Sequence, residues 1–244
     1  MIAHAEKYSI SLKFKIEDAI GRHIYKNGAY EKELSDFIIN HIQFHSGDIA
    51  LDIGANIGWY SLLLDKHMPE GCQVYAFEPD PLNYQLLIYN IQLNGANKVK
   101  AIQNALSDKK EIKKLYRYSN RNLGRHSLLD INQGDFVEVE ALVLDEFIQL
   151  NNIDFNKVKF AKIDIEGYEY FALSGALKVL DSIDCLISEF VPRYLQHGKV
   201  DPELLINLLE GKGFKSNVLK NGALSPIDRN EILSSAFCDI IWLK

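Results

Sequence analysis

The sequence predicts an α/β domain built on a mostly parallel sheet with helices on both faces. Short apolar runs, which indicate buried strands, alternate along the chain with segments whose apolar residues recur at helical spacing. The chain has 244 residues, and 47% of them are hydrophobic, so it is long enough to bury a sizeable core. Turn residues such as Asn94-Gly95 end the helical segments.

The alternation begins at Asp48 and continues to the C-terminus. Strands are expected at residues 49–53, 73–77, 99–103, 157–163 and 185–190, followed by a closing pair at 214–219 and 236–243. Helices are expected at residues 58–67, 81–93, 168–180 and 203–210.

Two regions depart from this pattern. Residues 1–47 are expected to form an extension packed on the core, with a strand at 8–16 and an amphipathic helix at 31–44. The main domain then covers 48–244 and contains a β-rich insertion at about 111–141, around a polar loop at 119–134. Because loops on a rigid scaffold often contact substrates, this insertion is a candidate for substrate recognition.

The composition favours a cytoplasmic protein that binds neither nucleic acid nor membrane. The formal net charge is −6, whereas nucleic acids and anionic membranes are bound through clusters of Lys and Arg. Cys72, Cys185 and Cys238 are far apart, so no disulfide framework or zinc site is expected, which fits a reducing cytosol. We expect no membrane span, since the N-terminal region lacks a long apolar stretch. The oligomeric state is left open.

The segment Asp52–Gly58, D-I-G-A-N-I-G, lies where the first strand gives way to a helix. Glycine permits a sharp turn, and a helix N-terminus offers free N–H groups to an anion. Dinucleotide enzymes use G-x-G-x-x-G at this place, but Asn56 replaces the second glycine and an acid stands at position 52. A carboxylate beside N–H donors suits an amino-acid head group, as in S-adenosylmethionine.

Glu78 supplies a second contact for such a cofactor. It ends the second strand in V-Y-A-F-E-P-D-P, about 20 residues after the glycine turn, where an acidic residue binds ribose hydroxyls in doubly wound folds. At the end of the third strand, Gln103–Asp108 occupies the place where an adenine would lie. A turn formed by Ser107 and Asp108 explains that segment equally well.

These motifs together resemble the FkbM family of methyltransferases. The resembling segments are G-A-Y-E-K-E-L at 28–34, L-D-I-G-A-N-I-G-W-Y-S at 51–61, Y-A-F-E-P-D-P at 75–81, N-I-Q-L-N at 90–94, A-L-S-D at 105–108, L-D-E-F at 144–147, K-I-D-I-E-G-Y-E at 162–169 and L-S-G-A at 173–176. The resemblance implies a Rossmann-like class I methyltransferase fold, with a mostly parallel seven-stranded sheet and an antiparallel last strand. It also implies O-methylation of a hydroxyl on a sugar, glycan or polyketide-type acceptor, with S-adenosylmethionine as cofactor.

The resemblance also assigns roles to residues of this chain. The cofactor-binding set is expected to be Tyr30, Glu31, Asp52, Gly54, Ala55, Asn56, Glu78, Pro79, Asp80, Asn104, Ala105 and Asp164. Within that set, Asp164 would lie near the methionine amine and the transferred methyl group, and Glu78 would bind the ribose. Tyr30 and Glu31 would cover the cofactor from the N-terminal side.

Methyl transfer needs a positioned acceptor oxygen and a group that takes its proton. Four residues are candidates for catalysis: Asp164, Glu166, Glu189 and His126. Each has an alternative role. Asp164 is suited to the cofactor amine, Glu166 to capping the following helix, Glu189 to an ion pair with a residue such as Arg193, and a loop histidine such as His126 to simple exposure.

Other functions stay open at this level. Asp164, Glu189 and His126 offer ligands for Mg²⁺, but their spacing does not demand a metal and we predict none. A nicotinamide-dependent oxidoreductase would use the same turn and Glu78, although its G-x-G-x-x-G is missing. The third alternative is a non-catalytic protein that binds S-adenosylmethionine. An enzyme that methylates nucleic-acid amines is disfavoured, because no N-P-P-Y-like tetrapeptide occurs.

Overall fold

The structure is a computed structural model that describes residues 1–118, 124–131 and 134–244. In these residues the strands are β1 (Ile2–Ala5), β2 (Ile10–Lys13), β3 (Ile49–Ile53), β4 (Gln73–Phe77), β5 (Val99–Ile102), β6 (Ala105–Leu106), β7 (Glu111–Tyr116), β8 (Phe136–Leu142), β9 (Val158–Ile163), β10 (Cys185–Phe190), β11 (Lys215–Lys220), β12 (Ala223–Pro226) and β13 (Cys238–Leu243). The helices are α1 (Ala19–Asn27), α2 (Lys32–His41), α3 (Trp59–His67), α4 (Pro81–Asn94), α5 (Leu144–Leu150), α6 (Glu169–Ser174), α7 (Leu177–Ser182), α8 (Pro192–His197), α9 (Pro202–Gly211) and α10 (Arg229–Ser234).

Eight strands form the central sheet in the order β12-β11-β13-β10-β9-β3-β4-β5. The five from β10 to β5 are mutually parallel, and β13 runs antiparallel to both of its neighbours. This confirms the predicted α/β class with its mostly parallel sheet and antiparallel last strand. The strand order reverses between β3 and β9, and in such sheets ligands bind outside the carboxyl ends of the strands at this point.

The sheet has one strand more than predicted. β12 forms a hairpin with β11 and extends the sheet at its edge. The connection is the pair Asn221-Gly222, both in the left-handed region with φ of 55° and 76°. Two adjacent residues with positive φ are the signature of a tight hairpin turn, so this pair was the available signal for the extra strand.

Apolar cores lie on both faces of the sheet, which explains the continuous apolar runs of its central strands. All five residues of β3 are buried. Leu51 faces a core that includes Leu186 and Trp242, whereas Ala50 faces the other core with Leu62 and Leu63 of α3. Since successive side chains of a strand point to opposite faces, a strand covered on both sides is apolar at nearly every position, and in β3 the one exception is Asp52.

The single helix predicted at 168–180 is wrong, because the chain forms α6 and α7 with a break at Gly175-Ala176. At the break the backbone passes close to another segment, and a Cβ on Gly175 would lie 2.3 Å from the carbonyl oxygen of Ser107. The carboxylate of Asp145 then accepts the amides of Lys178 and Val179, at 2.9 and 3.1 Å, and starts α7 afresh. Ser107 and Asp145 are both remote from this segment in the sequence, so its helical pattern gave no sign of the break.

The first residues form more regular structure than the sequence suggested. β1 and β2 pair as an antiparallel hairpin, and α1 follows with Asp18 capping its first turn. The strand expected at 8–16 is shorter because Tyr8 belongs to a turn that ends at Ser9, whose φ is 55°. Further along, β7 pairs antiparallel and β6 parallel with β8, giving a separate three-stranded sheet.

None of the helices in the described part of the chain is both long enough and apolar enough to cross a membrane.

Asn90 connects the β1–β2 hairpin to the central domain. Its side chain lies on α4 and is fully buried. Its Oδ1 accepts the amide of Lys13 at 2.7 Å, and its Nδ2 donates to the carbonyl oxygens of Lys13 at 3.1 Å and Ile57 at 2.8 Å. The Asn90 side chain thus forms hydrogen bonds with backbone groups of both β2 and the turn before α3.

We predict that Asn90→Leu lowers the free energy of unfolding by about 2–4 kcal/mol, because one buried and two partly buried backbone groups lose a hydrogen bond to its side chain. Urea unfolding followed by circular dichroism measures this loss. Asn97→Leu is the matched control, since Asn97 is exposed and the change removes no such bonds. Equal stability of the two variants would contradict the assignment.

Candidate functional site

The glycine turn is held in place by its neighbours in the sheet. The amides of Gly54 and Ala55 both donate to the carbonyl oxygen of Phe77, at 3.0 and 2.9 Å. Gly54 has φ of +85°, and a Cβ there would lie 2.0 Å from the carbonyl oxygen of Asp164. Glycine is therefore required here by the approach of the end of β9, and not only by the approach of a ligand.

Glu78 bridges two backbone turns at the end of β4. Its Oε2 accepts the amide of Asn56 at 2.8 Å, and its Oε1 accepts the amide of Asp80 at 2.8 Å. Burial raises the pKa of Glu78 to about 8. A carboxylate has about four acceptor positions, so each oxygen retains one for a further donor.

Asp52 and Asp80 lie just outside the cavities described next, and neither side chain lines them. Asp52 accepts the hydroxyl of Ser61 at 2.5 Å, and burial raises its pKa to about 6. Asp80 caps α4 through the amide of Leu82 at 2.8 Å and forms an ion pair with Arg117 at 2.7 Å. The structure thus places both acids beneath the turns, where they support the backbone.

A narrow pocket opens at the carboxyl ends of β3, β4 and β9, with an empty volume of about 530 Å³. Of the residues predicted from the sequence, it is lined by Gly54, Asn56, Glu78, Pro79, Asn104, Ala105, His126 and Asp164. The rest of the lining, which sequence reasoning did not identify, is mostly apolar: Ile53, Phe77, Leu106, Leu115, Leu128 and Ile165, together with Asn83 and Gly124. The mixture of apolar walls and a few polar groups is typical of small-molecule sites.

A larger cleft adjoins this pocket and shares four lining residues with it, namely Gly54, Asn56, Gly124 and Asp164. Its empty volume, including space open to solvent, is about 1090 Å³. Predicted residues found here are Tyr30, Glu31, Ala55, Glu166 and Glu189. Tyr60, Lys162, Arg125 and Phe237 were not predicted, although they line the same cleft.

Three carboxylates meet in this cleft. Asp164, Glu166 and Glu189 each offer an oxygen within 4.8 Å of the others. Oε2 of Glu189 is buried and accepts no hydrogen bond from the residues that the structure describes. Burial, together with the charges of neighbouring acids, raises the pKa values of Glu166 and Glu189.

Lys162 stands beside this acidic group. Its Nζ donates to Oδ2 of Asp164 at 2.7 Å and lies 4.6 Å from the centre of the Tyr60 ring. Glu31 contacts the same tyrosine, and its Oε2 accepts a hydrogen bond from the Tyr60 hydroxyl at 2.5 Å. Strand alternation places residues 162 and 164 on the same face of β9, so the motif K-I-D contained the signal that would have identified Lys162.

The structure supports neither alternative role considered for Glu166 and Glu189, which were helix capping and an ion pair with Arg193. Glu166 does not cap α6, whose N-terminus has no side-chain cap hydrogen bond, and it is Glu169 whose Oε1 accepts the amides of Ile165 and Gly167, at 3.1 and 3.2 Å, in the loop before the helix. Within the described residues Glu189 forms no ion pair with Arg193. Both carboxylates remain directed to the cleft.

His126 lies apart from the three carboxylates, in the narrow pocket. Its Nδ1 is 3.4 Å from the amide of Tyr118, and burial lowers the pKa of its ring. The structure brings Glu166, and not His126, together with Asp164 and Glu189. That trio has the oxygen ligands Mg²⁺ prefers, yet neighbouring acids are common without a metal, and the absence of a metal stays a prediction. The loop expected at 119–134 lies partly outside the described residues.

Comparison with known proteins identifies the family. A profile described as the methyltransferase FkbM domain matches residues 52–216, well over half of the chain. The chain belongs to the FkbM methyltransferase family. It is a methyltransferase with S-adenosylmethionine as cofactor, so the nicotinamide-dependent oxidoreductase that the glycine turn had left open is set aside.

Two curated relatives of this FkbM methyltransferase are informative. Methyltransferase sdnD of Sordaria araneosa is 28% identical over 218 residues, covering 76% of this chain and 80% of the relative. Hexuronic acid methyltransferase AglP of Haloferax volcanii is 21% identical over 173 residues, covering 71% and 66%.

A solved structure, the FkbM methyltransferase of Methylobacillus flagellatus KT, has a TM-score of 0.53 at 16% identity and covers 88% of this chain. The match covers 48% of that protein, so this chain spans about half of its length. At this identity the likeness shows the fold alone.

We predict that Gly54→Ala weakens binding of S-adenosylhomocysteine by about tenfold or more, because the methyl group would force β3 and β9 apart. Isothermal calorimetry measures the affinity. Gly213→Ala is the matched control: its φ is +89°, close to that of Gly54, but no atom lies within 4 Å of the added Cβ. If both variants bound the ligand equally, the close approach would have no part in the site.

We also predict that Glu189→Gln stabilises the protein progressively as pH rises above about 4.5, the ordinary pKa of glutamate. In the wild type the folded state keeps a proton that the unfolded chain has released, so its free energy of unfolding falls with pH by at most about 1.4 kcal/mol per unit. The glutamine does not titrate. Melting temperatures at pH 5, 7 and 9 measure the difference, with exposed Glu203→Gln as control. A pH-independent difference would show that Glu189 has an ordinary pKa.

Proposed function

We propose that this methyltransferase transfers the methyl group of S-adenosylmethionine to a hydroxyl of a sugar, glycan or polyketide-type acceptor. The observation that carries the proposal is the pair of adjoining cavities. A narrow pocket of nucleoside character shares Asp164 with an open cleft that contains Glu189 and its unpartnered oxygen.

The residues of the narrow pocket fit the cofactor. Oδ1 of Asn56 is buried and has no hydrogen-bond partner elsewhere in the described chain, so it is available to a donor on a ligand. Glu78 has acceptor positions left for ribose hydroxyls, and Asn104 and Ala105 border the space for the base. When bound, the cofactor supplies an electrophilic methyl group on its sulfonium.

The residues of the cleft would then act on the acceptor. Asp164, whose carboxylate is paired with Lys162, serves the ammonium of the cofactor. In the free protein the raised pKa keeps Glu189 protonated, so it acts as the base in its ionised form, which the positive sulfonium of the bound cofactor favours; Oε2 then accepts the proton of the attacking hydroxyl. Glu166 holds the acceptor by a hydrogen bond. His126 lies on the cofactor side and is less well placed for this proton transfer.

Several features support a sugar acceptor. Tyr30, Tyr60 and Phe237 offer aromatic surface in the cleft, and aromatic rings pair an apolar face with polar neighbours, which suits a sugar ring. The relative AglP is named a hexuronic acid methyltransferase. The net charge of −6 disfavours nucleic acid as acceptor, and we place the enzyme in the cytoplasm.

The test uses S-adenosylmethionine labelled in the methyl group and a panel of sugars, glycosides and polyketide alcohols, with amines and RNA as comparison. We expect label in a hydroxyl-bearing acceptor and an O-methyl signal in the NMR spectrum of the product. Glu189→Gln should lower kcat by about 10²- to 10⁴-fold, the usual contribution of a general base.

The binding of S-adenosylhomocysteine should be the same in that variant as in the wild type. Glu203→Gln is the matched surface control and should keep full kcat. Label found on nitrogen, carbon or RNA would contradict the proposal, and an unchanged kcat in Glu189→Gln would remove Glu189 from the role of base.

A further inference from the structure

A third, more open pocket adjoins the cleft at Arg125. It has an empty volume, including open solvent, of about 630 Å³. Its lining consists of Tyr118, Arg125, Ile131, Arg193, Tyr194 and His197. Arg125 also lines the larger cleft, so a molecule held in the cleft reaches this pocket by extending past that side chain.

Both arginines of the pocket lie over tyrosine rings. The guanidinium carbon of Arg125 is 5.6 Å from the centre of the Tyr118 ring, and that of Arg193 is 4.9 Å from the centre of the Tyr194 ring. Stacking of this kind orients the planar guanidinium and leaves N–H groups at its edge available to a partner.

His197 adds a third nitrogen-bearing side chain. It follows Arg193 by four residues on α8, and residues at this spacing are neighbours on one face of a helix. Its Nε2 lies 2.7 Å from the carbonyl oxygen of Asp130, which fixes the orientation of the ring. The pocket therefore combines two guanidinium groups and an imidazole.

The charges of the two arginines are not neutralised within the described chain. Neither has a carboxylate within 4.0 Å, whereas Arg117 pairs with Asp80, and Arg229 pairs with Glu203 and Glu210. The nearest acidic influence on Arg125 comes from Glu166, on the side of the cleft. Two such arginines facing one pocket are notable in a chain with 33 acidic and 27 basic residues.

We infer that this pocket binds an oxyanion, a carboxylate or a phosphate, that the acceptor carries beside the part held in the cleft. Guanidinium groups match the geometry of both anions and form charge-assisted hydrogen bonds with them. The inference rests on the proposed function, because it takes the cleft as the place of the acceptor. It narrows the acceptor to an anionic sugar.

Calorimetry on the full chain saturated with S-adenosylhomocysteine tests the inference. The probes are methyl glucoside, the matching methyl glucuronoside and glucose 1-phosphate. We expect at least one anionic probe to bind about tenfold or more tightly than the neutral one. This difference in affinity, the binding gap, should narrow in high salt. The two anionic arms show whether a carboxylate or a phosphate is preferred.

Arg193→Gln and Arg125→Gln should each close most of that gap while leaving the affinity for S-adenosylhomocysteine unchanged. Both side chains are exposed, so the folded state should tolerate the changes, and melting temperatures check this. Arg229→Gln, which removes a charge elsewhere on the surface, should leave the gap intact. Equal binding of neutral and anionic probes, or a gap that survives in both pocket variants, would overturn the inference.

The labelled-methyl assay separates this inference from the proposed function. A binding gap that depends on Arg193, without transfer to any hydroxyl, would sustain the anion pocket and refute O-methylation. Hydroxyl methylation of neutral and anionic sugars at equal kcat/KM, together with equal binding, would sustain O-methylation and refute the pocket.

Discussion

The contact between Gly54 and the carbonyl oxygen of Asp164 is the constraint on which the site depends. It brings the end of β3 against the end of β9 more closely than any residue with a Cβ allows. Consequently the turn that contains Asn56 and the strand end that contains Asp164 border both cavities. Glu78 then binds the same turn from β4, so three strand ends form one rigid frame.

The three carboxylates of the cleft, Asp164, Glu166 and Glu189, differ in whether a cation lies beside them. Lys162 is almost fully buried and makes its short contact with only one of the three cleft carboxylates, Asp164. Glu166 and Glu189 lack such a partner, and burial then favours their protonated forms. A buried carboxylate without a cation costs stability, and positions of this kind are common where a protein must move a proton. The cleft thus separates a carboxylate suited to binding a cation from others suited to exchanging a proton.

The sequence predicted well what depends on local pattern. Apolar runs located all five parallel strands, because most positions of β3, β9 and β10 are buried and apolar, and β4 and β5 beside them also consist mainly of apolar residues. It predicted poorly what depends on remote contacts. The break between α6 and α7 follows from the approach of Gly175 to Ser107 and from the cap supplied by Asp145, and no helical periodicity records either contact. For the site, motif spacing found Glu78 and Asp164, but side-chain direction decided that Asp52 turns toward Ser61 and that His126 lies in the narrow pocket.

The ion pair between Arg117 and Asp80 links two parts of the protein that could otherwise change independently. Arg117 follows β7 of the small sheet, and Asp80 caps α4 next to the amide that Glu78 accepts. A shift of that sheet would therefore displace residues that border the narrow pocket. Any remodelling of the small sheet, in evolution or by engineering, therefore has to preserve the reach of one arginine if the end of β4 is to keep its geometry.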